Sequence, residues 1–389
     1  AAASTGGQIM PPIMGAAAFL MAEYMGVTYG QVTLWAILPA VLYFGGIFIS
    51  VHLEAKKLGL KGIPRSELPR FKYLIRNVYL LLPLVFLIWM VTANIRSLQF
   101  SAAIAILISI AVSLVGTICD ASAEVRETKT GSVAGITAKK TGRMILDSLE
   151  AGGKGSITVA VACAMAGMIA GCITVTGLAS KLISGVIAIS SAIPNPTLSL
   201  LLALFLTMLC CIVLGMGVPT TANYCIMAST CAPILITLGI PKVAAHFFVF
   251  YFGIVADITP PVALAAYAGS AIAKSNPMKT GINATKLAIA AFIVPFIFAY
   301  NPQMLFENVT SVFQVVQIVI TALLGIFAVA AGLEGYILRK MGWPLRVLAV
   351  VGGLTLLIPG TVSDLIGLVI VAGIIALQLL QNKRERSEV

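Results

Sequence analysis

The chain has 389 residues, of which 59% are hydrophobic and only 10% charged, and its mean hydropathy is +1.03. Soluble domains are about 45–50% apolar and about 25% charged, so this composition excludes a water-soluble globule and fits a chain solvated by hydrocarbon. The net charge of +11 would suit a polyanion such as nucleic acid, but the basic residues fall in gaps between apolar segments, as in cytoplasmic loops, and no nucleic-acid partner is expected.

A spanning helix takes roughly 20 apolar residues, which leaves room for about ten. In chain order, apolar segments are expected over 1–22 (interrupted), 31–51, 78–93, 101–118, 156–176, 198–214, 222–238, 243–258, 262–273, 286–300, 312–332, 345–358 and 362–380. The chain opens Ala1-Ala2-Ala3-Ser4-Thr5-Gly6-Gly7 with neither an initiator Met nor a signal peptide, and an N-terminal truncation is expected. The seven Cys lie in or beside apolar stretches without metal spacing and read as packing residues.

Orientation follows from Lys and Arg. The loop 56–76 carries Lys56, Lys57, Lys61, Arg65, Arg70, Lys72 and Arg76, and so is expected in the cytoplasm. The stretch 120–154 returns there with Lys129, Lys139, Lys140 and Arg143, and 138–149 predicts a helix lying at the membrane surface. If 198–238 is a hairpin that enters and leaves on the outer side, and 243–273 one crossing broken at its middle, then three further basic groups fall inside. These are Lys274, Lys279 and Lys286, then Arg339, Lys340 and Arg346, and finally Lys383, Arg384 and Arg386. The outer loops keep only Arg96, Lys181, Lys242 and Glu307.

Two stretches resemble each other: Gly6-Gly7-Gln8-Ile9-Met10-Pro11-Pro12-Ile13-Met14-Gly15-Ala16-Ala17, and Val255-Ala256-Asp257-Ile258-Thr259-Pro260-Pro261-Val262-Ala263-Leu264-Ala265-Ala266. Each precedes a helix with a Pro and then a Tyr, Pro39 with Tyr43 and Pro295 with Tyr300. On the charge count the first runs outward and the second inward, the relation of inverted-topology repeats in secondary transporters. Proline lacks an N–H and clashes with the preceding turn, so Pro11-Pro12 and Pro260-Pro261 must interrupt their helices. In hydrocarbon such breaks persist only around a cavity or ligand; freed carbonyls suit a cation and a half-helix N-terminus suits an anion.

A third break is expected at Gly215-Met216-Gly217-Val218-Pro219-Thr220-Thr221, where glycines permit a tight turn and a close backbone approach. Thr220, Thr221 and Asn223 offer hydroxyl and amide groups there. Its arms, about 17 residues each, are near the lower limit for spanning, so a re-entrant hairpin is preferred over two full spans. Asp257 is the acidic residue placed deep in an apolar span, and an intramembrane carboxylate points to function. It could bind a cation, carry a proton or cap the half-helix.

These residues carry a family resemblance. Gly215-Met216-Gly217-Val218-Pro219-Thr220-Thr221, Asp257-Ile258-Thr259-Pro260-Pro261-Val262 and the stretch from Ser4 through Pro11-Pro12 to Phe19 resemble the large membrane subunit of tripartite ATP-independent periplasmic (TRAP) transporters. The wording is closest to the TAXI subgroup, whose small and large membrane subunits are fused. The likeness covers roughly residues 1–300.

It implies an all-α polytopic membrane protein, an inverted-repeat, elevator-type transporter with a re-entrant hairpin and broken helices. A sodium or proton gradient would drive import of a small organic anion, usually a carboxylate, delivered by a periplasmic binding protein. By motif, one ion site would pair Gly215, Gly217, Pro219 and Thr220 with Asp257, Thr259 and Pro260, and another would use Ser4, Thr5, Gly7 and Pro11. Thr221, Asn223 and Gln8 are candidate substrate contacts. Na⁺ or H⁺ is the expected coupling ion, without other cofactor.

The expected partners are the binding protein, a small membrane subunit fused upstream, and membrane lipid. The expected place is a bacterial or archaeal inner membrane. The organisation expected is the end of a first transport repeat (1–51), a basic loop with connecting helices (52–118), a cytoplasmic amphipathic segment (119–155), a second repeat (156–300) and extra C-terminal helices with a basic tail (301–389). The nearest rival is a related ion-coupled carrier that needs no binding protein. An intramembrane enzyme is disfavoured, since neither His-Glu-x-x-His nor Gly-x-Ser-x-Gly occurs. A channel is disfavoured because no filter motif is visible. His246, in an apolar segment, reads as a packed or partnered histidine.

Overall fold

The computed structural model describes residues 1–389 except 12–13, 65–66, 69–74, 76–77, 93–97, 129–131, 262, 308, 310, 359 and 388–389. It likewise describes no side chains for 91–92, 98, 120, 123, 127–128, 155, 158–159, 162–163, 166, 170, 174, 179 and 382–387. Pro12, Ile13, Val262, Arg65, Arg70, Lys72, Arg76, Arg96 and Lys129 therefore lie outside the described residues, as do the side chains of Lys383, Arg384 and Arg386.

The protein is helical, and among the described residues the sole β feature is an isolated bridge between Tyr336 and Lys340. Five described helices are long and apolar enough to cross a membrane: Tyr29–Lys57, Gln99–Arg126, Pro196–Gly215, Val312–Glu334 and Thr361–Gln381. A sixth crossing forms if the pair Pro277–Leu287 and Ile289–Tyr300, bent by 40°, counts as one. This is a multi-pass membrane architecture, and two of the shorter apolar helices, Ala16–Met25 and Leu264–Ala273, follow the proline-pair breaks.

The described chain divides into two compact units, one of residues 1–27, 32–61 and 163–389, the other of 28–31 and 62–162. The helices in chain order are α1 (Ala2–Gly6), α2 (Ala16–Met25) and α3 (Tyr29–Lys57), then α4 (Leu82–Thr92), α5 (Leu98–Thr128) and α6 (Val133–Val175). After them come α7 (Leu178–Ser191), α8 (Pro196–Gly215), α9 (Thr220–Thr230), α10 (Ala232–Thr237), α11 (Lys242–Val255) and α12 (Leu264–Ala273). The last are α13 (Pro277–Leu287), α14 (Ile289–Tyr300), α15 (Val312–Glu334), α16 (Trp343–Leu357) and α17 (Thr361–Ser387).

In the smaller unit, α5 and the first part of α6 fold back on one another. Lys140 Nζ meets Glu124 Oε2 at 2.5 Å, and Ile106, Ser109 and Ser113 face Met144, Ser148 and Gly152 across an open groove. The helix expected over 138–149 forms as part of the 43-residue α6 rather than as a separate surface element. No Pro interrupts that stretch, so the backbone ladder runs on through the charged residues.

In the larger unit, two ends can be told apart by their contacts. At one end Lys57 Nζ of α3 bonds Glu54 Oε2 at 2.9 Å and the Glu334 carbonyl at 3.1 Å. Lys286 Nζ of α13 reaches the buried Glu334 Oε2 at 2.7 Å. Arg346 closes α15 by donating to the carbonyls of Gly332 and Leu333 at 2.9 and 2.7 Å, cations placed where a helix C-terminus favours them. At the other end Lys242 Nζ donates to the Met25 carbonyl at 3.1 Å, and Tyr300 Oη to the Thr197 carbonyl at 2.9 Å. Gln317 Nε2 there donates to Asp364 Oδ2 at 2.7 Å.

Basic residues 57, 286 and 346 thus gather at one end, the arrangement on which the sequence-based orientation depends. The helices α15, α16 and α17 pack through glycine. A Cβ on Gly325 would sit 2.7 Å from the Gly353 carbonyl oxygen, and one on Gly367 2.7 Å from that of Gly352. Small residues let membrane helices approach this closely without a hydrophobic driving force between them.

Candidate functional site

The hairpin expected over 198–238 forms. Asn195 caps α8, its Oδ1 accepting from the Thr197 and Leu198 N–H groups at 2.9 and 3.2 Å, with Pro196 in the first turn. At Gly215 the chain turns through 216–219, where Gly217 takes φ +75°, a left-handed conformation that glycine adopts without a Cβ penalty. The chain returns as α9 and then α10, which is set off at Cys231 because Pro233 cannot donate to the ladder. At the base, Ala203 of α8 and Ile234 of α10 share one apolar cluster with Val186 of α7. Both arms therefore end against the same helix.

The crossing 243–273 is broken as expected. α11 ends at Val255, a tight turn covers Ala256–Ile258, and α12 resumes at Leu264 after Ala263 takes φ +37°. The hairpin tip and this break meet. A Cβ on Gly215 would lie 3.0 Å from Ala256 Cβ and 2.6 Å from Asn223 Nδ2, so only glycine fits. Asn223 is 1% exposed, and its Nδ2 donates to the Gly253 carbonyl at 3.0 Å while its Oδ1 is buried without a partner. One turn of chemistry further, Tyr224 Oη pairs with His246 Nδ1 at 2.7 Å. Asn223 and Tyr224 thus fasten α9 to α11, and His246 is a partnered histidine.

Around the break, Thr259 Oγ1 donates to the Val255 carbonyl at 2.7 Å, and Thr285 Oγ1 to the Ile258 carbonyl at 3.1 Å. Gly281 leaves room for Pro260, whose Cγ would lie 3.2 Å from an added Cβ. Tyr267 Oη donates to the Pro261 carbonyl. Asp257, Thr220 and Thr221 are half-buried, and no hydrogen bond or ion pair engages the Asp257 carboxylate among the described residues. The elements that carry these oxygens, the tip before Thr220 and the turn before Thr259, meet at Gly215 and Ala256, and carboxylate and hydroxyl oxygens are the hard ligands that a small cation takes.

The first break is similar in plan. α1 ends at Gly6 and the chain turns, Gly7 N–H donating to the Ser4 carbonyl at 3.1 Å, before α2 begins at Ala16. Thr5 is buried and its Oγ1 donates to the Ala1 carbonyl at 3.2 Å. Ser4 and Gly7 are exposed, Gln8 and Pro11 half-buried, and Gln8 Oε1 is without a partner. Tyr43 of α3 lies across Gly6, where an added Cβ would come within 2.2 Å of its ring, and donates to the Ala2 carbonyl at 2.7 Å.

The two broken helices lie antiparallel. Ala1 sits against Gly269 near the end of α12, and Met25 at the end of α2 takes a hydrogen bond from Lys242 at the start of α11. α1 also packs against the turn Ala256–Ile258. The two sequence-derived residue sets, one running from Ser4 to Pro11 and the other from Gly215 to Pro260, are thereby neighbours.

Several participants escaped the sequence reading. Gly253 and Ala256 receive the tip, and Gly281 with Thr285 supports the break from α13, a helix in the gap between the segments expected over 262–273 and 286–300. Asn276 caps that helix and Pro277 starts it, the same Asn-Pro signal that opens α8, and this could have revealed it. The missed α7 carries no such signal.

Residues 1–310 match the family model described as "Tripartite ATP-independent periplasmic transporter, DctM component". A search of curated proteins gives no significant match to the chain. With four-fifths of its length matched, and a tip-and-break geometry to go with it, the chain belongs to the DctM component family of tripartite ATP-independent periplasmic transporters and is a membrane transporter component, not an enzyme.

Proposed function

We propose that the protein carries a small organic anion, a carboxylate by preference, inward across a bacterial or archaeal inner membrane, driven by a Na⁺ or H⁺ gradient. A periplasmic binding protein delivers the anion, and a small membrane subunit completes the permease. Coupling ions bind at Gly215, Gly217, Pro219 and Thr220 with Asp257, Thr259 and Pro260, and at Ser4, Thr5, Gly7 and Pro11. Thr221 and Gln8 contact the substrate, and Asn223 acts behind them by holding the tip in place. The two repeats move as one body in an elevator stroke.

The observation that carries this reading is the meeting of the hairpin tip with the broken helix at Gly215 and Ala256, beside an unpaired half-buried carboxylate. Broken helices in a bilayer expose backbone and charge that only a ligand or cavity can satisfy. Their antiparallel pairing supports two inverted repeats around one substrate path.

The test is uptake of labelled carboxylates into liposomes holding the full-length permease, with its binding protein outside. Na⁺ and proton gradients are imposed separately. Accumulation that follows one gradient and requires the binding protein is the expected result. Equilibration without accumulation would make the protein a passive pore. Accumulation with no binding protein would place it with carriers that work alone.

A further inference from the structure

One cavity of the larger unit has no part in the tip-and-break site. It is a groove of about 750 Å³ between the base of the hairpin, α14 and the last turn of α16, within the size range of small-molecule sites. Three helices line it: Leu201 from α8, Phe292 and Phe296 from α14, and Leu354 of α16 with Ile358 just past its end. Phe292, Phe296 and Tyr300 are successive positions four apart, so they line one face of α14 over about 12 Å. The groove thus runs parallel to the helices. Among the described lining residues the polar ones, Thr197, Tyr300 and Asn301, lie at one end. That end is where α8 begins and α14 stops, and where the Tyr300 hydroxyl is already spent on the Thr197 carbonyl.

We propose that this groove holds one acyl chain of a membrane phospholipid, its ester end at Thr197 and Asn301 and its methylene chain running inward between Leu201, Phe296 and Leu354. The chemistry follows from the lining. None of the residues named carries a charge, so a polar solute would lose its hydration there without return. All three helices are apolar, two of them in candidate spans, and hydrocarbon is the solvent such helices are built to meet. Each methylene sheltered there contributes roughly 0.8 kcal/mol relative to water, but relative to bulk lipid the gain comes only from closer packing against the rings. The site therefore selects by shape, a straight chain rather than a headgroup. Its occupant would brace the hairpin base against α16, a helix beyond the family match at residue 310.

The experiment places the full-length protein in nanodiscs of a phosphatidylcholine with a diazirine at mid-chain, followed by irradiation and peptide mapping. Adducts are expected on Leu201, Phe296 and Leu354 several-fold above those on Val362 and Val369, which are 74% and 63% exposed on α17. Leu201→Trp, which fills the groove, should remove the excess at Phe296 and leave Val369 labelling unchanged. Leu354→Phe is the second filling variant should the first fold poorly. Equal labelling of groove and open face, or an excess that survives filling, would overturn the proposal. So would labelling by a diazirine palmitate in detergent that diazirine phospholipid fails to reproduce, since that would mark a free fatty-acid site.

Discussion

The two broken helices are made of similar residues and end in different company. At Ala256–Ile258 the break is held from three directions: by the hairpin through Gly215 and Asn223, by α13 through Gly281 and Thr285, and by its own Tyr267. At the first break the described support comes from α3, through Tyr43 packed on Gly6 and bonded to Ala2, and from α12 and the turn Ala256–Ile258, against which α1 packs with no hydrogen bond among the described residues. Ser4 and Gly7 there stay exposed, whereas the neighbours of Asp257 are buried. A proline pair opens a helix in either place, but the surrounding side chains decide which oxygens remain free. The second break is therefore the more tightly specified, and substitutions there should cost more.

The largest difference is expected between two glycines. Gly217 holds φ +75°, where a β-branched side chain is strained by more than about 1 kcal/mol, and a Cβ on its neighbour Gly215 would strike Asn223 at 2.6 Å. Gly217→Val and Gly215→Val should each reduce uptake into liposomes to background. Gly7 has φ −57° and among the described residues an added Cβ there meets the Ser4 carbonyl alone, at 3.2 Å, so Gly7→Ala should keep most of the uptake. Equal loss in all three would mean that the two breaks are equally constrained.

Next in size is Asn223→Ala. Its amide is buried between Gly215 and Gly253, and deleting a buried hydrogen-bonding group costs about 1–3 kcal/mol. The melting temperature of the purified protein should fall, and Asn223→Asp, which cannot donate to the Gly253 carbonyl, should not restore it. If Asn223 instead contacts substrate, KM would rise while the melting temperature held.

Much of this was legible in the residues. The paired prolines, the glycine-rich turn and the basic gaps announce themselves locally, and helix breaks, a hairpin and a polytopic chain follow from them. What escaped depends on tertiary contact. Asn223 looks like an exposed polar tip residue until α11 is packed over it, and Gly281 looks like loop until Pro260 is seated on it. The charged stretch 133–154 reads as a loop with a short surface helix because charge density is a cue to exposure, yet no proline interrupts it and α6 runs through it. The glycines of α15–α17 carry no hydropathy signal, and their role appears only at an interhelical approach too close for a Cβ.

Of intermediate size are the two oxygen donors at the join. Thr220→Val removes one hydroxyl without changing shape and should weaken uptake at limiting coupling ion, with recovery as the ion is raised. Asp257→Asn removes the charge but keeps an acceptor that can still cap a half-helix. A flattened response to Na⁺ or pH, with expression intact, is expected. An unchanged ion response in both variants would remove the ion from this join and leave Asp257 as a cap.

The smallest effects should come from the two hydroxyls that tie each break to its neighbouring helix, and they compare the breaks most directly. Tyr43→Phe deletes the bond to the Ala2 carbonyl, and Thr285→Val the bond to the Ile258 carbonyl. Each is one hydrogen bond, worth about 1 kcal/mol net, and each replacement keeps the packing volume, so the two losses of stability should be close. Their effects on transport should differ. Ile258 lies between Asp257 and Thr259 in sequence, so freeing its carbonyl disturbs the oxygens proposed to hold the ion. Ala2 opens α1, before Ser4 and Thr5, and the release of its carbonyl should be absorbed within that helical turn. Thr285→Val should therefore shift the half-saturating concentration of the coupling ion by more than Tyr43→Phe does, at matched melting temperatures. A larger shift for Tyr43→Phe would reverse the order of the two breaks and make the first the more tightly specified ion site.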